Sequence, residues 1–230
     1  ILNQESIEVD GLGLSILPGK NGFVQADGSV KLNPSYLPTF MMARFANAWS
    51  DDPRWAHVYL ASQRLLLDSG KTGSYPDWVL YNNGQLSLPE DEQRGDYDAI
   101  RNYMWIGMSH KADPVANSML KQLSPTVALL LRRQTMPEWF EPTTGRTSAQ
   151  AGPPGFQAAA APFMLAAGAP DLAKKLSAKA LRSSKQEDWL AYGYYNGALS
   201  LFAQGHIDQL YRFGTQGELL PRGKEVPACD

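Results

Sequence analysis

Apolar residues along the chain recur with two periods. Leu37, Met41, Phe45 and Trp49 stand four apart, which is one face of a helix, and Asn33-Pro34 supplies an N-cap and a first-turn proline for it. Asp51-Asp52-Pro53 opens a second helix carrying Trp55, Val58, Tyr59, Ser62, Leu65 and Leu66, with Gly70 as its stop. Further helices are predicted over 96–108, 114–134, 155–167, 170–182 and 188–204. Between them the pattern shortens. Residues 9–32 alternate brief apolar runs with glycine and carry a hairpin signal at Asp27-Gly28. Residues 75–89 read as a hairpin across Asn82-Asn83-Gly84, and 210–222 has strand and turn character. About seven helices with two or three small hairpins and no strand–helix–strand rhythm indicate stacked α-hairpins in a single domain.

Composition narrows the chemistry. The 230 residues carry 21 Lys+Arg against 23 Asp+Glu, so no basic field exists to attract a nucleic acid. No apolar run reaches about 18 residues, so no membrane insertion is expected. His57, His110 and His206 stand apart with no metal-ligand spacing, and Cys229 is the lone cysteine. Nucleophile-elbow and phosphate-loop patterns are missing, so neither metal nor cofactor is expected.

What remains is carboxylate chemistry among aromatics. Asp96 and Asp98 are expected in the first turn of the 96–108 helix, Asp96 as its cap. The helix dipole and Arg101, three residues on, hold Asp98 as an anion. An oriented carboxylate beside Tyr and Trp suits a general base in a sugar cleft. The same spacing also describes an ordinary cap and an ordinary surface ion pair. Tyr36, Tyr75, Trp78, Tyr97, Tyr103, Trp105, Tyr194 and Tyr195 lie near helix starts or in loops, and half of them are expected to be core.

Seven segments in order, LxLSILPGKNGF, LNPSYLPTFMMARF, PDWVLY, YDAIRNYMWIGM, GPPGFQAAAAPF, YYNGALSLFAQG and RFGTQGELLP, resemble glycoside hydrolase family 8, in particular the endoglucanases encoded with bacterial cellulose synthase. The resemblance runs from Val9 to Cys229. It implies an all-α (α/α)6 barrel with a substrate groove and small β-hairpins at the groove end. It also implies inverting hydrolysis of internal β-1,4-glucosidic bonds of cellulose by a periplasmic or secreted enzyme, with the cellulose synthase and export machinery as a partner.

By the same resemblance Asp98 is the general base, Arg101 orients it and Tyr36 positions water or base. Tyr194, Tyr195, Trp105, Trp78 and Tyr97 are candidates for binding sugar. The family's general acid, a Glu in an (S/T)EGQSYG motif, and its Asp-Gly-Asp motif occur nowhere in these residues. An inverting site needs both carboxyl groups. The expectation is therefore a catalytic domain over 1–230 that lacks the acid-bearing N-terminal helices, is inactive alone and needs that segment as a partner. Twelve helices need about 300 residues or more, which points the same way. The family also implies a disulfide between Cys229 and an N-terminal cysteine, with a free tail thiol as the other possibility. Activity on chitosan, xylan or mixed-linkage glucan, a glucan-binding role without catalysis, and a plain helical interaction domain are the alternatives.

Overall fold

The computed structural model describes residues 1–186 and 193–223. Strands β1 (Ser6–Val9) and β2 (Gly13–Ile16) form an antiparallel hairpin. β3 (Val30–Leu32), β4 (Val79–Asn82) and β5 (Gln85–Ser87) form a three-stranded antiparallel sheet in that order. The β4–β5 turn is Asn83-Gly84, both at positive φ (48° and 74°), which matches the right-handed twist of the flanking strands. β6 (Phe140–Glu141) with β7 (Arg146–Thr147), and β8 (Tyr211–Phe213) with β9 (Leu219–Pro221), are two more short hairpins. The β6–β7 pair was not expected from the sequence pattern.

Eight α-helices occur among the described residues: α1 (Thr39–Ala48), α2 (Arg54–Ser69), α3 (Ile100–Met108), α4 (Pro114–Gln122), α5 (Ser124–Arg133), α6 (Pro154–Ala166), α7 (Pro170–Gln186) and α8 (Tyr194–Ile207). Three expectations need correction. The helix foreseen from Asn33 is split into a 3-10 turn (Pro34–Tyr36) and α1. Pro38 pushes Leu37 out of the helical region, to φ −122° and ψ 62°. Consequently α1 buries Thr39, Phe40 and Met42, while Met41 and Trp49 are exposed. The single helix over 114–134 is two, because Pro125 in the first turn of α5 has no N–H to continue α4. The helix foreseen over 188–204 is α8, and its expected first residues 188–192, like Cys229, lie outside the described residues.

Two apolar clusters form the interior. The larger gathers Tyr103 and Met104 of α3, Leu130 of α5, Phe156, Phe163 and Met164 of α6, Leu176 of α7 and Leu199 of α8. α6 is its axis. Gly155 to Met164 are all buried, the all-round burial of a helix enclosed by others. The smaller joins Val9, Leu32 and Tyr81 of the strands to Met42 of α1 and Val58 and Leu65 of α2. α1 and α2 each feed both clusters, through Phe40 and Leu66 on one side and Met42 and Leu65 on the other. No described helix is long and apolar enough to cross a membrane.

Candidate functional site

The site is built where the segment before α3 meets the 3-10 turn after β3. Asn33 accepts a hydrogen bond from Ser35 N (3.0 Å) and another from Ser35 Oγ (2.6 Å). This cap fixes the turn that carries Tyr36. Ser35 Oγ then accepts from Arg101 Nε (3.1 Å) and Nη2 (2.7 Å). The Ser35 carbonyl accepts from Trp105 Nε1 (3.1 Å). α3 is thereby tied to the 3-10 turn by two side chains one turn apart.

Asp98 and Arg101 form an ion pair through Asp98 Oδ1 and Arg101 Nη2, with side chains 23% and 21% exposed respectively. That exposure leaves the carboxylate open to solvent or ligand on one side while the guanidinium holds it on the other. The Arg101 guanidinium also lies 5.4 Å from the Tyr36 ring centroid.

The expected cap arrangement is corrected. Asp96 and Asp98 lie in the turn preceding α3, outside its first helical turn, and Asp96 does not cap it. The cap comes from a distance. Asp77 Oδ1 accepts from the main-chain N–H groups of Asp96 (2.9 Å), Asp98 (3.1 Å) and Ala99 (2.6 Å). Burial, then the adjacent Asp96 carboxyl, push Asp77 above the ordinary carboxylate range, against the pull of those N–H donors. Gly95, just before the turn, exchanges two 2.9 Å main-chain hydrogen bonds with Phe140. A Cβ there would sit 1.8 Å from the Tyr75 carbonyl oxygen.

The aromatic candidates divide. Tyr75 and Tyr103 are fully buried core. Trp105 is half-buried, edge-on to Phe40 and Phe202, with its N–H occupied by Ser35. Tyr36 and Tyr97 are about half exposed and Tyr194 is 91% exposed. Trp78 is half-buried, stacked on Phe23 at 6.1 Å with Lys31 Nζ 5.0 Å from its ring and Tyr36 edge-on at 6.1 Å. Tyr195 contacts Tyr97 ring to ring at 5.6 Å and donates its hydroxyl hydrogen to the Tyr97 carbonyl. Burial pushes the Tyr195 phenol up to about 12, and Arg101, Asp98 and Asp77 all act on it electrostatically. Its neighbour Asn196 accepts from Gly155 N (2.9 Å) at the start of α6. Tyr36, Tyr97, Asp98, Arg101 and Tyr195 therefore form one cluster, and Trp78 extends it through Tyr36.

The residues that sequence reasoning missed are Asp77 and Ser35. Asp77 acts 19 to 22 residues downstream of itself, so no local spacing reveals it. Ser35 had a visible signal in the Asn33-Pro34-Ser35 cap, although nothing local shows that it meets Arg101. Among the described residues no group of three His, Cys, Asp or Glu side chains is arranged to hold a metal.

The family model for glycosyl hydrolases family 8 matches residues 1–209. An endoglucanase of Xanthomonas axonopodis pv. citri (strain 306) is 38% identical over the whole chain, which covers 59% of that relative. An endoglucanase of Escherichia coli (strain K12) is 36% identical, with 96% of this chain and 57% of the relative covered. Among solved structures, the endo-1,4-D-glucanase of Vibrio fischeri ES114 superposes with a TM-score of 0.85 at 33% identity, over 96% of this chain and 64% of its own. The chain thus spans less than two thirds of the length of these relatives. The fold is the mostly helical (α/α)6 toroid, matched over part of the solved structures and decorated with antiparallel hairpins.

Proposed function

The chain belongs to glycosyl hydrolase family 8, and from that membership we propose that it supplies the general-base half of an inverting endo-β-1,4-glucanase site. The observation that carries this reading is the Asp98–Arg101 ion pair, partly open and flanked by Tyr36, Tyr97 and Tyr195. Endoglucanases among the relatives support a β-1,4-glucan as the substrate.

In this reading a water held between Asp98 and the sugar loses its proton to the Asp98 carboxylate. The water oxygen attacks the anomeric carbon from the face opposite the leaving oxygen, and the configuration inverts. Arg101, paired with Asp98, turns the carboxylate toward the water. Tyr36 stands beside Arg101 to hydrogen-bond the water. Tyr97, Tyr194, Tyr195 and Trp78 offer ring faces and hydroxyls to neighbouring glucose units, and Trp105 supports the turn that carries Tyr36. The leaving oxygen takes its proton from a carboxylic acid that none of these residues provides. The second half of the site is the (S/T)EGQSYG segment, an N-terminal partner of this domain. A periplasmic or secreted setting, in association with cellulose synthesis and export, suits the substrate.

The test is viscometry on carboxymethylcellulose. The 230-residue chain alone leaves viscosity unchanged, and a steady fall refutes the division of the site. Joined to a segment bearing the acid motif, the chain lowers viscosity, and Asp98→Asn cuts the rate by roughly 10²–10⁴-fold, the span of general acid–base catalysis. Full activity in Asp98→Asn rejects the base assignment. The absent acid motif also favours a second reading, a glucan-binding protein without catalysis. It predicts that cellohexaose binds and that the joined protein stays inactive.

A further inference from the structure

The turn that carries Asp98 is held from outside itself. Its own main-chain hydrogen bonds are Ile100 N to Asp96 O (3.0 Å), Arg101 N to Asp98 O (3.2 Å) and Asn102 N to Ala99 O (3.0 Å), all at the helix entrance. The N–H groups of Asp96, Asp98 and Ala99 all converge on one oxygen of Asp77. Asp77 is itself held, its N–H donating to the Arg94 carbonyl at 3.0 Å. Residues on either side of it in the chain are committed elsewhere, Tyr75 to the core and Trp78 to Phe23, Tyr36 and Lys31.

We propose that Asp77 is the positioning residue for Asp98, its carboxyl clamping the 96–99 turn through three main-chain N–H groups and so setting where the Asp98 carboxylate stands. The proposal rests on the reading of Asp98 as the base, which it deepens. Ordinary caps bind the first turn of their own helix from the preceding residue. Here a capping carboxyl enters from another loop, and the amide of Asp98 is among those it binds. A shift of the Asp77 side chain therefore moves Asp98 directly.

The clamp also makes Asp98 sensitive to protonation next to it. The Asp96 carboxyl faces Asp77 across the turn, and two such groups do not both ionise easily. Tyr103 of α3 and Tyr195 of α8 feel the Asp77 charge. Asp91, Glu92 and Arg94 line the cavity of about 390 Å³ that Asp77, Trp78 and Asp96 border. Glu92 is paired there with Lys31 of β3 at 2.7 Å. Protonating Asp77 turns a charged acceptor of three N–H groups into a neutral one, which weakens those three hydrogen bonds locally even though burial makes the neutral form the one the whole fold prefers.

The experiment is an NMR pH titration of the 230-residue chain, labelled on the main chain and on the Asp carboxyl carbons. The amide resonances of Asp96, Asp98 and Ala99, and the Asp98 side-chain carbon, should move together with one midpoint above the ordinary carboxylate value of about 4. Asp77→Asn should abolish that shared titration while leaving the amides protected, because its Oδ1 still accepts. Asp96→Asn should lower the midpoint by removing the facing charge. Asp77→Ala should speed exchange of the three amides roughly tenfold. Should Asp77→Ala fail to fold, the Asn variants still decide the matter. Independent midpoints for the three amides, or a common titration that survives Asp77→Asn, would overturn the clamp. A clamp that acted on the helix alone would leave the Asp98 side-chain carbon still, and that result overturns the proposal too. None of these spectra needs catalysis. A failed clamp appears here, whereas a failed base assignment appears in the Asp98→Asn viscometry.

Discussion

Ser35 is the smallest residue on which the site depends. Its hydroxyl donates to Asn33 and receives two N–H groups from Arg101, so it transmits the 3-10 turn's position to the ion pair. Ser35→Ala removes those contacts and leaves Arg101 with Asp98 and the Tyr36 ring. It should lower stability by about 1.5–3 kcal/mol, the range for hydrogen bonds to charged groups. A urea titration monitored by circular dichroism measures this, and a change within error would mean that water replaces the hydroxyl. Asp77 predicts a pH dependence whose sign follows from its raised value. Folding favours its protonated form, so its stabilising contribution is complete below about pH 4 and is lost as pH rises through its folded value. Wild-type stability should therefore fall more between pH 5 and pH 8 than that of Asp77→Asn. Parallel stability curves for the two proteins would contradict it.

At the scale of elements, α3 and α6 approach closely. A Cβ on Gly107 would lie 2.2 Å from both the Phe163 nitrogen and the Pro162 carbonyl carbon, so the two backbones touch there. Pro162 lies inside α6, where it donates no hydrogen bond to the preceding turn and carries its ring within the enclosed helix. Gly107→Ala must separate the helices, and neither backbone can yield as a flexible side chain would. The expected loss is about 3 kcal/mol or more, at the upper end of overpacking costs. Because α3 follows directly from the Asp98 turn, the same variant should also broaden the Asp98 and Arg101 resonances. Thermal melting and an NMR spectrum check the two effects together. Undiminished stability would show that α3 can slide along α6 at no cost.

For the whole molecule, the arrangement of α1 and α2 is decisive. Each sends one set of side chains into the larger cluster and another into the smaller, so neither cluster can come apart while the other keeps its helices. Leu65→Ala in the smaller cluster and Met104→Ala in the larger should each cost about 2–5 kcal/mol. Each should lower the midpoint of one shared unfolding transition, seen alike by tryptophan fluorescence and far-ultraviolet circular dichroism. Two separated transitions would mean that the clusters are independent units. The exposed apolar side chains of α8, Tyr194, Leu201 and Phe202, leave a face that water covers poorly.

Helices and hairpins were legible in the chain because their signals are local. The four-residue apolar spacing located α1 though not its buried face, Asp51-Asp52-Pro53 and Gly70 bracketed α2, the Asn83-Gly84 turn located β4–β5, and Asn33 capped a 3-10 turn in place of the helix expected of it. The Asp98–Arg101 pair was legible for the same reason, since i,i+3 neighbours share a face. Helix breaks were read less well. Pro38 and Pro125 were in plain view, but an apolar pattern continuing past each of them masked the loss of a donor. Aromatics near helix starts were divided between core and surface only by folding. Two of the eight were fully buried where half had been expected, because burial depends on which helix arrives opposite. The sequence by itself determined the residue types of the site and the family to which they belong. Only the tertiary structure decided that Asp77 meets the turn carrying Asp98 and that Ser35 meets Arg101. A hydrogen bond needs its partners within about 3 Å, and chain folding alone brings residues so far apart in sequence that close.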